Sequence, residues 1–330
     1  MQRWEYKLEG LEPDNFLAFM ALLGLLRALE TARPGWCPRA AWDLDTAPWR
    51  PVLSLRTDVS REEVAAAAAE GVAKLADHQQ FPKGNERRKA IDFSQDEACA
   101  ELTDAGRNRR AVVECLLTPA AYKDDGKPIP TPYCLMFGQG HQHLLERFSS
   151  VPTVAAPPPR GRGKKAVAVS PEQCIAESLF DNWQRIDPTD SFRWGAVEAN
   201  RYALRAKNPS SDPEAKTTQH GANRLAAVAL PLLPATAVAR RGEPRTLAVG
   251  ARYLPTGDVQ FTWPIWTASS SLDGILSLLR THPDEFTKEE PIGVIPTGVE
   301  ALARAERISL GKFMNVTPAR IHLVGADRGS

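Results

Sequence analysis

Charge of one sign is what this chain lacks most plainly: 41 Lys and Arg stand against 40 Asp and Glu in 330 residues. A net charge of +1 excludes bulk attraction as a basis for polyanion binding, so any nucleic-acid contact must come from local clusters. Cysteine is sparse. Cys37, Cys99, Cys115, Cys134 and Cys174 include no pair at C-x-x-C spacing, which excludes a zinc knuckle or a linear redox motif. Their odd number fits a reducing compartment rather than a disulfide scaffold, and they read as mostly buried small apolar residues. Long hydrophobic runs are missing too. The strongest, Phe16 to Leu26, is too short to span a bilayer and is bracketed by Asp14 and Arg27. Glu5, Glu9 and Glu12 precede it, the wrong sign for the start of a signal peptide. A cytoplasmic protein without membrane contact is expected.

Linear signatures of common chemistry are also absent. There is no G-x-x-x-x-G-K-[ST], no H-E-x-x-H and no G-x-S-x-G. Gly161-x-Gly163 lacks the third glycine of a dinucleotide fingerprint and follows no predicted strand. His141 and His143 form H-x-H, but no nearby acid and third histidine complete a ligand set, so neither metal nor cofactor is expected. None of the six histidines is paired with a recognisable Lys or Tyr partner. Acid–base RNA cleavage through His141, His143 or His220 is therefore the secondary reading, and a non-enzymatic protein without catalytic residues the primary one.

A composition of 43% hydrophobic and 25% charged residues is that of a folded protein, and 27 prolines imply many irregular connections. Trp4–Leu8 alternates as a half-buried strand does. Asp14 or Asn15 caps a helix running to about Glu30 and stopped by Pro34-Gly35. Because that helix is apolar on nearly every face, it belongs at the centre of the fold, and Gly24 within it points to close backbone packing. Ala41–Leu55 reads as an edge strand around Pro48 and Pro51. Ser60 and Glu63 form a capping box for a helix to about Ala76. Arg109–Leu117 is a helix or a buried strand, and Gln142–Phe148 belongs to a short helix.

Ser149–Lys165 is rich in Pro, Gly and basic residues and reads as a linker or a long functional loop. Beyond it, helices are predicted at Pro171–Asn182, Gly221–Leu230 and Leu272–Arg280. Arg245–Tyr253 and Val259–Trp266 form a hairpin about Pro255–Asp258, and Arg304–Lys312 alternates as a strand. The expected fold is α+β, with mixed helices and mostly antiparallel sheet. Its parts are an α/β domain over 1–150, a linker or basic loop over 151–165, a second α/β domain over 166–324 and a loose tail over 325–330.

Three places gather positive charge. Arg160, Arg162, Lys164 and Lys165 lie in one acid-free run whose glycines let the backbone follow a polyanion; the alternative is a solvated linker. Lys83, Arg87, Arg88 and Lys89 are flanked by Phe81 and Phe93, which can stack on bases, with Arg107, Arg109 and Arg110 downstream. Gly221–Leu225 opens a helix whose free N–H groups suit phosphate, with Asn223 and Arg224 beside them; the alternative is an ordinary capped helix.

Three longer stretches carry a resemblance. They are Leu8–Phe19 running into Leu23–Leu29; Asp187–Asp190 with Asn200–Arg205, Gly221–Ala227 and Leu230–Pro234; and Ile308–Phe313 with Asn315–Ala319. Together they resemble the CRISPR-associated proteins of type I-U (I-G) systems, in particular the large-subunit-like component of the Cascade surveillance complex. The resemblance implies an antiviral-defence ribonucleoprotein with CRISPR RNA, target DNA and other Cascade subunits as partners. In such a complex the large subunit reads the protospacer-adjacent motif and offers a landing site to a helicase-nuclease, while base pairing reads the target. The candidate contact residues, chosen on local charge, are Lys83, Arg87, Arg88, Arg160, Arg162, Lys164, Lys165, Arg201, Arg205, Asn223 and Arg224. An RNA-processing subunit and a structural adaptor of the same complex are the alternatives.

Overall fold

The computed structural model describes residues 2–83, 86–135, 144–195, 217–281, 296–310 and 313–324. Its first strand, β1 (Trp4–Lys7), leads into α1 (Phe16–Ala32), whose first turn is capped by the Asn15 side chain accepting from the Leu17 N–H. All but three of the seventeen α1 residues are buried, so this helix is core on every side. β2 (Arg39–Asp43) and β3 (Arg50–Leu55) complete a three-stranded antiparallel sheet in the order β1-β3-β2. The prolines predicted an edge, yet β3 is central. The Pro51 carbonyl accepts from the Leu8 N–H where β1 ends, so the missing proline donor falls at the margin of the ladder.

Helix α2 (Arg61–Ala76) follows with both halves of the Ser60–Glu63 capping box formed. A two-residue ribbon, β4 (Pro82–Lys83) and β5 (Glu86–Arg87), precedes α3 (Gln95–Asp104) and α4 (Arg107–Glu114), so the helix-or-strand alternative resolves as helix. α5 (Leu144–Thr153) and α6 (Pro171–Phe180) flank the basic loop; β6 (Asp187–Pro188) pairs β7 (Thr217–Thr218) and leads to α7 (His220–Ala229). A hairpin, β8 (Ala235–Arg240) and β9 (Glu243–Ala248), turns on Arg241 and Gly242, both at positive φ. The last layer is a five-stranded antiparallel sheet. In it β10 (Ala251–Tyr253), β11 (Val259–Trp266) and β12 (Val299–Leu310) run side by side, and the far edge of β12 pairs β13 (Phe313–Val316) and β14 (Arg320–Leu323). Helix α8 (Leu272–Arg280) follows β11. The fold is α+β with mostly antiparallel sheet, as expected.

The two sequence halves share one core, which corrects the division at 151–165. α1 lies between α2 and α7, and a single hydrophobic cluster draws buried residues from Tyr6 to Val316. Close packing depends on two glycines: a Cβ on Gly24 would overlap the Leu225 carbonyl oxygen of α7, and one on Gly71 the Ala28 carbonyl oxygen of α1. At the other side, the Phe16 ring stacks against Tyr133 and Phe261 with centroids 5.6 and 4.8 Å away, and Phe19 stacks on Trp263 at 5.4 Å. Even Ser149, read as the start of a linker, is buried in α5, its hydroxyl donating to the Gln79 carbonyl.

Candidate nucleic-acid interface

The segment after α5 is an exposed loop with a fixed base. Arg160 and Val167 exchange backbone hydrogen bonds of 2.9 and 2.8 Å, closing the loop, and Gly161 and Gly163 make its turns at positive φ. Below the bridge, the Arg160 guanidinium forks onto Asp187 (Nε–Oδ1 2.8 Å, Nη2–Oδ2 3.0 Å) and reaches Glu177 at 2.8 Å. The Asp187 side chain is only 2% exposed, so Arg160 is its neutralising partner in the interior. Those two carboxylates raise the Arg160 pKa above its ordinary value. Arg160 is thus a pin for the loop rather than a free phosphate contact. Arg162, Lys164 and Lys165 stand exposed above it, with no ion-pair partner among the described residues.

Three apolar side chains on the loop and the segments tied to it are exposed. Val167 closes it at 67% exposure, Ile186 adjoins Asp187, and the carbonyl of exposed Val154 accepts from His220. Arg160 and His220 therefore tie together the three segments that carry them.

The second cluster divides in the same way. Arg88 is buried, paired with Asp92 at 2.9 Å and Glu97 at 2.8 Å, with its guanidinium 4.1 Å from the Phe93 ring centre. Phe81 and Phe93 are themselves buried, edge to face, and Arg109 lies over Phe81. The predicted stacking platform is therefore core, covered by its own arginines. Lys83 is exposed but bound to Asp92 at 2.8 Å; Arg87 and Lys89 are exposed without an ion-pair partner among the described residues. The Lys89 carbonyl accepts from Glu146 at the start of α5, whose far end leads to the basic loop. α5 itself is ten residues long, about 15 Å.

Asn223 and Arg224 are corrected by burial. Every residue of α7 is buried, its N-terminus included, so neither side chain reaches a surface. Asn223 accepts from the Phe192 N–H and donates to the Gln219 carbonyl. Arg224 makes one long bond, to the Pro152 carbonyl at 3.5 Å, and leaves Nε and Nη1 without partners. Burial lowers its pKa to about 10. Arg201, Arg205, His141 and His143 lie outside the described residues.

His220 is 1% exposed, and both ring nitrogens are used: Nε2 meets the Val154 carbonyl at 2.8 Å and Nδ1 the Thr189 hydroxyl at 3.0 Å. A carbonyl only accepts, so Nε2 carries a proton. Burial, then the Arg224 charge, lowers its pKa to about 4. This histidine holds a core in place and has no nitrogen to offer a substrate.

The sequence reading missed a cationic group on the last sheet. Arg304 on β12 faces Arg320 on β14 in register, and His322 lies two residues further along β14. Burial first, then these two arginines, lowers the His322 pKa. The signal was the alternation Arg320-Ile321-His322-Leu323, a strand pattern placed just after Pro318.

Among the described residues, no cluster of His, Cys, Asp and Glu is arranged to hold a metal ion, and no helix is long and apolar enough to cross a membrane. The cysteines are free, with Cys115, Cys134 and Cys174 buried, Cys37 half-buried and Cys99 exposed. Comparison with family models, curated proteins and solved structures gives no match to the chain.

Proposed function

We propose that the chain is a non-enzymatic, cytoplasmic nucleic-acid-binding subunit of a type I CRISPR interference ribonucleoprotein. Its role is large-subunit-like, holding target DNA near the protospacer-adjacent motif while CRISPR RNA reads sequence. The observation that carries nucleic-acid contact is the pinned loop: Arg162, Lys164 and Lys165 project from a closed, anchored turn with no carboxylate paired to them among the described residues. Anchoring lowers the entropy lost on binding, and unpaired cations release counterions when they meet phosphates. The CRISPR assignment itself rests on the resemblance of Leu8–Leu29, Asp187–Pro234 and Ile308–Ala319.

A second reading, a structural adaptor in the same complex, is favoured by exposed Val167 in that loop and exposed Val154 and Ile186 on the segments tied to it. Apolar side chains of this size suit a protein neighbour better than a phosphate. Co-expression with the genomic neighbours, followed by tag purification, tests the proposal. A short defined RNA arriving with several protein partners, and crosslinks from target DNA to the 160–167 loop, are expected. A clean monomer despite confirmed expression of the neighbours refutes the complex; an RNA-loaded complex with no nucleic-acid crosslink to this chain favours the adaptor.

A further inference from the structure

The fold gathers three arginines on the outer face of the β1-β3-β2 sheet that no charge run in the sequence connects. Trp4 pairs Leu55, and both pack on the core, so Arg3 just before Trp4 and Arg56 just after Leu55 belong to the opposite face. Arg39 of β2 pairs Ser54, the neighbouring outward position of β3. Arg3 is held in place: its Nε donates to the Ser54 hydroxyl at 3.1 Å, and its Nη2 to the Ser54 and Cys37 carbonyls. Arg39 and Arg56 are exposed. Arg39 makes one long bond, to the Ser269 carbonyl at 3.4 Å, while the Arg56 side chain has no hydrogen-bond or ion-pair partner among the described residues.

These cations act on one another. Burial first, then the charges of Arg39 and Arg56, lowers the Arg3 pKa. The same face carries two carboxylates. Asp43 is taken by Lys7 at 3.3 Å, and Glu5, exposed opposite Ser54, is paired with none of the three arginines. Like charges held together without a paired counter-ion favour a ligand that brings negative charge among them, and the guanidinium fork matches phosphate oxygens. None of the exposed large apolar side chains, Val154, Val167, Ile186, Ile308 and Leu323, lies on these strands. A protein interface needs an apolar centre, whereas a nucleic-acid strand needs cations spread along an open surface.

We infer that the outer face of this sheet is a second nucleic-acid contact, with Arg39 and Arg56 each taking a backbone phosphate beside the fixed Arg3. The contact extends the nucleic-acid reading to a new face but rests on neither the 160–167 loop nor the CRISPR assignment.

The test is fluorescence anisotropy of a labelled oligothymidylate titrated with the full chain at several salt concentrations. At about 0.7 per single-strand phosphate, Arg39→Ala with Arg56→Ala should lower the slope of log K against log salt by about 1.4. Between 50 and 200 mM salt the wild type should therefore lose about seven times more affinity than this double variant. The same drop is expected in a chain already carrying Arg162→Ala, Lys164→Ala and Lys165→Ala, so a failure of the loop leaves this result intact. Lysine at positions 39 and 56 should restore the slope, and the melting temperature should not move, because both side chains are exposed. Parallel salt plots in both backgrounds, or no binding to the wild-type chain at low salt, would overturn the inference. So would polyglutamate displacing the oligonucleotide at equal charge, which marks an acidic protein partner, or inorganic phosphate doing so, which marks a single-anion site.

Discussion

Removing the three free cations of the pinned loop, by Arg162→Ala, Lys164→Ala and Lys165→Ala together, should change the salt dependence of nucleic-acid binding by a calculable amount. Each phosphate neutralised contributes about 0.9 to the slope of log K against log salt on duplex DNA, and about 0.7 on a single strand. Three contacts therefore account for a slope of about 2.7 or 2.1. Between 50 and 200 mM salt, a fourfold change, the wild type should lose about 40 times more duplex affinity than the triple variant. Fluorescence anisotropy of a labelled duplex, titrated with the purified complex at several salt concentrations, reads this directly. Stability serves as the internal control: the three side chains are exposed, so the melting temperature should not move. Parallel salt plots for wild type and variant would remove the loop from the binding surface.

Arg160→Ala should behave differently. It strands the buried Asp187 carboxylate, at a cost of about 3–5 kcal/mol, so melting should fall by roughly 4–7 °C for a chain of this length. An unchanged melting curve would contradict the pin. Arg224→Met should leave the melting temperature unchanged or raise it, because a guanidinium with two unpaired donors gives way to an apolar chain; a fall of several degrees would show a missed partner. His220 is neutral in the fold above pH of about 4, while the unfolded ring takes its proton near 6.5. The unfolded state thus binds more protons between these values, and stability falls by about 2–3 kcal/mol as pH drops through that window. In His220→Gln the melting difference between pH 7 and pH 4 should shrink by about 3–4 °C, and an unaltered difference would place the acid sensitivity elsewhere. Gly24→Ala gains about 1 kcal/mol of helix propensity but forces α1 from α7, so a net loss of melting temperature is expected; a gain would mean the helices can separate cheaply.

Local signals carried much of this architecture. Asn15, the Ser60–Glu63 box and the Leu272–Arg280 periodicity each determine their helix through contacts within a few residues, and each was legible. Gly24 also announced a close approach, though not to which partner. What stayed hidden depended on distant chain. Arg88, Arg160 and Arg224 look alike in a charge count, but Glu97, Asp187 and the Pro152 carbonyl decide which are paired or buried. The Arg245–Tyr253 strand was read as continuous because nothing nearby reveals that Gly250 turns the chain between β9 and β10. Thr262 reads as an ordinary strand residue, and only the folded chain shows that its hydroxyl is buried without a hydrogen-bond partner.

The placement of α1 between α2 and α7 has a consequence for biosynthesis. Arg27 donates to the Val228 carbonyl, a contact between residues 201 positions apart. At about 5–20 residues per second, the most apolar helix waits roughly 10–40 s on the ribosome before its second neighbour is made. During that interval the face containing Gly24 has no native cover, and α2 can shield only the other side. The nascent chain is thus a natural client for a holdase, and synthesis through α7, rather than of the first half alone, is the point at which α1 gains its second cover.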